Sequence, residues 1–310
     1  MFDALLVPLD GSPFSEYSLP LAAALSRSSG ARLHLAHVHH DNPPDGLLSN
    51  TQFQFEGLDL GEYEERHRAD ERDYLGTLAA RLEKEMEVPP EQVLLEGEVV
   101  GALEWYAGER GPALILMTTH GRTGVSRAWL GSVADVLVRR THLPVLLVHP
   151  PQADEVRSAP EAVRHILVPL DGSELSEKIL GTVRKVATAM GSRITLAHVV
   201  QPLAHMGARP LPLPSGHVGE RSRKAEEYLA TVAGRLSAEG FEVDTRVVVD
   251  ASPALAILQA AESVGADLVA MGTHGYRGVT RAVLGSVADK VLRASPVPVL
   301  LERPLTQHLD

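Results

Sequence analysis

The sequence contains no cysteine among its 310 residues. Disulfides, thiolate zinc sites and cysteine nucleophiles are therefore excluded. Cationic residues are also scarce: 29 lysines and arginines stand against 40 acidic residues, which gives a formal net charge of −11. Nucleic acids and anionic membranes are bound by clustered cations, so we predict neither as a partner.

Long apolar runs are missing as well. No stretch of about 18 apolar residues is available to span a bilayer. The first four residues, Met-Phe-Asp-Ala, open neither a basic region nor a hydrophobic region of the signal-peptide kind. We therefore expect a cytoplasmic protein.

Several chemical motifs are absent. The sequence has no G-x4-G-K-[ST] loop and no G-x-G-x-x-G after a strand, which disfavours a P-loop enzyme and a standard dinucleotide fold. It has no HExxH motif and no histidine pair four residues apart beside carboxylates, so we predict no metal site. It also lacks a G-x-S-x-G elbow or a nucleophile with an adjacent base, so we predict no catalytic residue. Binding is better supported than turnover.

What the sequence does contain is an internal repeat. Residues 117–135 align with 271–289 without a gap, and 14 of the 19 positions are identical. The stretch 6–12 recurs as 167–173, and the stretch 35–38 recurs as 196–199. A repeat of this length indicates two copies of one domain. We predict domains at 1–150 and 163–310, joined by a proline-rich linker at 151–162.

Strand and helix patterns alternate within each copy, which is typical of parallel βαβ units. In the first copy, strands are predicted at 4–9, 32–39, 92–99, 113–118 and 144–148, and helices at 14–29, 62–86, 101–110 and 131–140. Residues 40–60 form either a lid or a disordered insertion, and 201–217 a proline-rich loop. The fold class is therefore α/β, with two tandem doubly wound domains, each a five-stranded parallel sheet flanked by helices.

A glycine-rich turn stands between a strand and a helix near the end of each copy. In the second copy it is 271–275, Met-Gly-Thr-His-Gly, followed nine residues later by Gly285-Ser286. Glycine lets backbone N–H groups approach an anion, and a helix N-terminus adds orphan donors and a positive dipole end. The pattern favours a phosphate-binding turn, and the alternative is a tight turn with no ligand.

The spacing G-x2-G-x9-G-S resembles that of the universal stress protein family. Three further stretches occur in the family's order: 168–171 after a first strand, His198-Val199 ending a second, and 298–301 as a last strand. The resemblance covers nearly the whole chain as two tandem domains. It implies a Rossmann-like, adenine-nucleotide-binding fold that holds ATP, with the presence of Mg²⁺ left open. It further implies a regulatory role in the stress response, through nucleotide binding and an unidentified protein partner.

The resemblance also implies roles for individual residues. Asp171 and Val199 would face the adenine and ribose, Met271 would line the base pocket, and the glycines with Ser286 would wrap the phosphates. The predicted nucleotide-binding residues of the second copy are Pro169, Asp171, Val199, Met271, Gly272, His274, Gly275, Arg281, Gly285, Ser286 and Val287. Those of the first copy are Pro8, Asp10, Val38, Met117, Thr118, Gly121, Gly131, Ser132 and Val133.

Some of these residues also have an interpretation that involves no ligand. Asp10 and Asp171 precede Gly-Ser, where an aspartate often satisfies backbone N–H groups only. His274 either orients phosphate or fills the loop, and Arg281 either neutralises phosphate or is solvated. Thr118 departs from the family pattern, since it replaces the first glycine. If that position needs a positive φ, Thr118 either stores strain or shifts the backbone away from the phosphates, and binding in the first copy is weaker.

Two other functions stay open at this point: a slow ATP hydrolase on the same fold, and a ligand-free structural tandem domain. Assembly is predicted from the last strand of each copy, 145–148 and 299–301, because apolar edge strands pair. We expect the two halves to pair within one chain, and whole chains to form a homodimer.

Overall fold

A computed structural model describes residues 1–40, 60–111, 114–119, 130–150, 158–206, 209–212, 214–273 and 284–303. The first half contains strands β1 Ala4–Leu9, β2 Arg32–His39, β3 Glu91–Glu96, β4 Leu114–Thr118 and β5 Val145–Val148. Its helices are α1 Pro13–Glu16, α2 Leu19–Ser29, α3 Leu60–Glu83, α4 Val99–Arg110 and α5 Ser132–Arg140.

The second half repeats this order with one addition. Its strands are β6 His165–Pro169, β7 Arg193–Val200, β8 Leu203–Met206, β9 Arg209–Pro212, β10 Val243–Val249, β11 Leu268–Gly272 and β12 Val299–Glu302. Its helices are α6 Glu174–Glu177, α7 Ile179–Met190, α8 Ser215–Ala238, α9 Pro253–Val264 and α10 Ser286–Ala294. Among the described residues, no helix is long and apolar enough to cross a membrane.

Each half builds a five-stranded parallel sheet. The strand order is β3-β2-β1-β4-β5 in the first half and β10-β7-β6-β11-β12 in the second. Both are the same doubly wound order, with helices on the two faces. The α/β fold class predicted from the sequence is therefore confirmed, including the five parallel strands of each copy.

The two sheets join into one sheet of ten strands through their last strands. β5 and β12 run antiparallel, and Leu146 stands opposite Leu300. Both residues are fully buried, with 1% and 0% exposure. This is the pairing within one chain that the apolar edge strands predict, since each strand covers the other's unpaired edge.

The central strands are apolar on both faces because helices cover both sides of the sheet. One buried cluster lies between the sheet and α2, α3, α7 and α8. The other lies between the sheet and α4, α5, α9 and α10. Each cluster includes side chains of both halves. The carboxyl ends of β1, β2 and β4 and their second-half counterparts stand at the rim between these layers.

Two predictions need correction. The single helix expected at 14–29 is two helices, α1 and α2, and the same break recurs between α6 and α7. The break belongs to the fold, since it occurs both beside Pro20 and without a proline. The loop expected at 201–217 contains the two-stranded ribbon of β8 and β9. Pro210 and Pro212 do not prevent it, because a strand in a two-stranded ribbon needs hydrogen bonds along one edge only.

Two predicted segments fall beyond the described residues. They are the loop at 40–60, from residue 41 to 59, and most of the linker, 151–157. The domain bounds 1–150 and 163–310 stay a prediction.

Candidate functional site

The candidate site in each half lies where the strand order reverses, between β1 and β4 and between β6 and β11. The β1–β4 pairs end at Leu6 opposite Ile115, two residues before Pro8. The β6–β11 pairs end at Leu167 opposite Val269, two residues before Pro169. A proline has no N–H to donate to a neighbouring strand. The two strands therefore lose their shared hydrogen bonds at their carboxyl ends, where ligands bind in open α/β sheets.

An Asp-Gly-Ser turn follows β1 at this rim. The Oδ1 atom of Asp10 accepts hydrogen bonds from the Ser12 N–H at 2.9 Å and from the Ser12 hydroxyl at 2.6 Å. The Ser12 hydroxyl oxygen in turn caps α1 by accepting from the Ser15 N–H. Gly11 has a φ of 82°, a conformation that other residues rarely adopt. The turn is thus held by its own side chains.

The second half builds the same turn. Asp171 Oδ1 accepts from the Ser173 N–H at 3.0 Å and from the Ser173 hydroxyl at 2.6 Å. Gly172 has a φ of 86°. Asp10 and Asp171 had two interpretations: contact with a ligand, or satisfying backbone N–H groups of the turn. These hydrogen bonds agree with the second interpretation. They also fix each carboxylate at the rim, and contact with a ligand stays a prediction.

The glycine-rich loops are pinned at both ends by matching backbone hydrogen bonds. After β4, the Thr119 N–H donates to the carbonyl of Val148, and the Gly131 N–H donates to the carbonyl of Thr119 at 2.7 Å. After β11, the Gly285 N–H donates to the carbonyl of Thr273 at 2.9 Å. Each bond brings the first residue after the strand against the residue that starts the next helix. The described ends of the two loops are therefore joined in the same way in both halves.

The helices that leave these loops begin without a side-chain cap among the described residues. Gly131 and Gly285 are the N-cap residues of α5 and α10, and neither helix start has a side-chain cap hydrogen bond within the described residues. Ser132 and Ser286, the first helical residues, are exposed. The first N–H groups of an α-helix have no partner within the helix, and the dipole adds positive potential there. An anion that reaches this point meets a set of oriented donors.

The apolar residues of the predicted nucleotide-binding sets lie on one face of the sheet. Met117 and Met271 are each 7% exposed at the ends of β4 and β11. Val38 and Val199 belong to the same side of the sheet, the one covered by α4, α5, α9 and α10. Val133 and Val287, in the first turns of α5 and α10, pack against that cluster. The described apolar members of each predicted set therefore share one side of the sheet, and their contact with a nucleotide stays a prediction.

Four predicted site residues, Gly121, His274, Gly275 and Arg281, lie outside the residues that the structure describes.

Thr118 needs a correction. Among the described residues, which include Thr118, no residue other than glycine has a positive φ. Gly272, the matching residue of the second half, has no positive φ either. Both residues end a strand, in extended backbone that any residue adopts. The expectation that Thr118 stores left-handed strain is therefore wrong, and so is the reason it gave for weaker binding in the first half.

His37 and His198, near the ends of β2 and β7, each pack against a tyrosine. His37 meets Tyr74 edge to face with ring centroids 6.2 Å apart, and His198 meets Tyr228 in the same way at 6.3 Å. Burial lowers the pKa of His198, with the nearby Asp171 carboxylate opposing that effect. A Cβ atom added to Gly172 would lie 3.9 Å from the His198 ring. His198 thus stands just beneath the Asp-Gly-Ser turn.

The sequence reasoning missed one group of polar side chains. His39, at the end of β2, meets His67 and Glu71 of α3, and their candidate ligand atoms all lie within 4.8 Å of one another. Two short signals were available: His37 and His39 alternate on one strand face, and His67 and Glu71 stand four residues apart on a helix. Neither signal is specific alone, because the partners come from different elements.

Comparison with known proteins gives one consistent result. A family model described as "Universal stress protein family" matches residues 1–149 and 162–303. A universal stress protein of Mycobacterium tuberculosis is 26% identical over 319 residues, covering 96% of this chain and 94% of that protein. Another from the same organism is 33% identical over 191 residues, and the match spans 61% of each chain. The crystal structure of a universal stress protein from Archaeoglobus fulgidus covers 97% of this chain and 96% of its own, with a TM-score of 0.64 and 21% identity.

Proposed function

The chain belongs to the universal stress protein family, and from that premise we propose that each half binds one adenine nucleotide, ATP with or without Mg²⁺. The bound nucleotide regulates association with a protein partner in the stress response. The chain holds and releases nucleotide rather than turning it over.

The observation that carries the proposal is the start of α5 and α10. Each helix starts with a glycine N-cap, no side-chain cap hydrogen bond within the described residues and an exposed serine, and its N-cap is pinned to the end of the adjacent strand by the Gly131–Thr119 or Gly285–Thr273 hydrogen bond. A helix N-terminus at the carboxyl edge of a parallel sheet is the common place for a phosphate group.

The remaining residues at the rim supply the other parts of a nucleotide site. The Asp10 and Asp171 carboxylates stand at the ends of β1 and β6, where a ribose hydroxyl can donate to them. Met117 and Met271 give a flexible apolar surface for a base. The site is duplicated, so we propose two nucleotides per chain.

Thermal denaturation with ATP tests the proposal. A ligand that binds only the folded state adds RT ln(1 + [L]/Kd), about 2.7 kcal/mol at a hundredfold excess over Kd. The melting temperature of the wild-type chain is expected to rise with ATP concentration. In Gly285→Val, the added side chain covers the helix start and removes the contribution of the second site.

The backbone at Gly285 tolerates a side chain, because its φ of −57° and ψ of 141° are angles that other residues also adopt. The Gly285→Val chain is therefore expected to fold without backbone strain at that position. Gly131→Val, at a φ of −56°, is the matched change in the first half. An ATP-dependent shift that is unchanged in both variants would exclude the helix starts as the phosphate sites.

A further inference from the structure

The polar group around Glu71 consists of His39 on β2 and His67 and Glu71 on α3. The Glu71 carboxylate lies 2.7 Å from His39 Nδ1 through Oε2 and 3.8 Å from His67 Nδ1 through Oε1. His37 Nε2 lies 3.2 Å from the same Oε1 atom. Three imidazole rings thus converge on one carboxylate, whose side chain is 9% exposed.

We propose that His39, His67 and Glu71 form a binding site for a divalent first-row transition metal ion of the zinc class. Imidazole nitrogens together with one carboxylate are a donor set that such ions prefer. Three protein ligands leave a fourth position for water or for a ligand from a partner. Bound metal would tie the N-terminal half of α3 to the end of β2.

The distances suit a metal ion after small side-chain movements. The three ligand atoms lie within 4.8 Å of one another. Around a tetrahedral zinc ion with bonds of about 2.0–2.2 Å, neighbouring ligand atoms stand roughly 3.4 Å apart. The His39–Glu71 contact must open slightly and the contacts of His67 must shorten. His67 is 47% exposed, so one side of the site faces solvent.

The surroundings orient the ligands in the way metal sites require. The His67 ring stacks on Tyr63 at 6.1 Å with an interplanar angle of 17°, and it meets the His39 ring at 5.4 Å. His37, in contact with Glu71 Oε1, is placed to hold the carboxylate by a hydrogen bond. Outer partners of this kind fix the orientation of metal ligands and raise metal affinity.

The alternative is that the histidines only neutralise a buried carboxylate. The second half argues against a need for such neutralisation in this fold. Its matching positions, fixed by the repeats 35–38 with 196–199 and Tyr74 with Tyr228, hold Val200, Arg221 and Ala225. Among the described residues, β7 and α8 pack without any such group, and Arg221 donates to the Gln201 carbonyl. The His37–Tyr74 pair recurs as His198–Tyr228, whereas the three ligands are particular to the first half.

The residues at the matching positions of the second half therefore define the variant that tests the proposal. In His39→Val/His67→Arg/Glu71→Ala, the first half carries the residues that the second half already accommodates. Zn²⁺ and Co²⁺ are titrated into the full metal-stripped chain and followed by calorimetry and by visible absorption. We expect one equivalent of Zn²⁺ per wild-type chain and, with Co²⁺, the strong visible bands of a four-coordinate site. The triple variant is expected to bind Zn²⁺ more than about 100-fold more weakly, beyond the loss from removing an outer partner.

Two further single variants guard against a folding defect of the triple variant and against metal bound elsewhere on the surface. His67→Ala changes an exposed helical position, so it removes one ligand even if the triple variant fails to fold. His217→Ala removes an exposed histidine of α8 and controls for metal bound at the surface. The proposal is overturned if wild type binds no stoichiometric Zn²⁺, or if His67→Ala binds it as tightly as wild type. It is also overturned if His217→Ala causes the same loss as His67→Ala.

Discussion

At the scale of single residues, each Asp-Gly-Ser turn requires a glycine at its centre, because that residue has a positive φ. Gly172 has a φ of 86°, and a side chain in this region costs about 1–2 kcal/mol. We predict that Gly172→Ala lowers the free energy of unfolding by about that amount, measured by urea denaturation. The added Cβ has room, since its nearest neighbour is the His198 ring at 3.9 Å. The loss would therefore come from the backbone and not from a clash.

Gly181 provides the matched control. It lies in helix α7, is exposed, and a Cβ added there would meet no atom within 4 Å. Gly181→Ala is expected to raise stability by about 0.5–1 kcal/mol, because alanine restricts the unfolded chain and favours a helix. If Gly172→Ala proved as harmless as Gly181→Ala, the positive φ of Gly172 would not be required by the turn.

Thr118 shows where residue-level prediction from the sequence ends. The repeat aligns Thr118 with Gly272, and a glycine in a loop motif suggests a positive φ. The structure places both residues at the end of a strand in ordinary backbone. The alignment identified the position correctly, but φ depends on where the strand ends, and strand ends are poorly specified by local sequence.

At the scale of secondary-structure elements, the end of β12 links the site to a partly buried acid, Glu302. Burial raises the pKa of the Glu302 carboxyl, opposed by a hydrogen bond from Thr182 and by Lys185 and Lys178. The Thr182 hydroxyl donates to Glu302 Oε2 at 2.8 Å. The backbone carbonyl of Glu302 also accepts from the Thr273 N–H at the start of the glycine-rich loop.

A raised folded pKa has a definite consequence for stability. The folded chain holds the Glu302 proton more tightly than the unfolded chain, so stability falls as the pH rises through the unfolded and then the folded pKa. We predict that Glu302→Gln is more stable than wild type at pH 7. The difference is expected to vanish below about pH 4, where the unfolded carboxyl is protonated too.

Unfolding free energies of the wild-type and Glu302→Gln chains at pH 4 and pH 7 check this prediction. Glutamine keeps the acceptor for Thr182, so the comparison isolates the charge. A stability difference that is the same at both pH values would show that the carboxylate of Glu302 is not penalised by burial.

Elements that local sequence patterns specify could be predicted, whereas elements that depend on tertiary packing could not. The ten strands of the two sheets and the long helices were predicted because apolar periodicity repeats in two copies of one sequence. The breaks at Tyr17 and Lys178 and the β8–β9 ribbon were not, since tertiary packing decides them. The group of His39, His67 and Glu71 joins a strand to a helix, and no single stretch of sequence contains it.

At the scale of the whole molecule, the ten-stranded sheet makes the two halves one unit. β5 and β12 pair through three residues on each side. Next to these strands, arginines and aspartates of α5 and α10 form ion pairs across the junction. Arg139 lies 3.8 Å from Asp289, and Arg293 lies 3.6 Å from Asp135.

We predict that the halves stay together when the chain is cut. A protease site placed between residues 150 and 158 removes the covalent link but leaves the β5–β12 pairing and the shared apolar clusters. Size-exclusion chromatography of the cut protein is expected to give one peak at the position of the intact chain. Two half-sized species at micromolar concentration would contradict the joined sheet.

The charge network offers a graded version of this test. In the cut protein, Arg139→Asp/Arg293→Asp places four carboxylates together and is expected to promote separation of the halves, most strongly at low salt. Adding Asp135→Arg and Asp289→Arg restores alternating charge and should restore association. Failure of this rescue would mean that the crossed ion pairs do not contribute to the junction.

The central claim is that each half holds one adenine nucleotide at the start of α5 or α10. Native mass spectrometry of the full chain, saturated with ATP, counts bound nucleotides directly. We predict two per wild-type chain, one in Gly131→Val, one in Gly285→Val and none in the double variant. No ATP on the wild-type chain, or two on the double variant, would contradict the account.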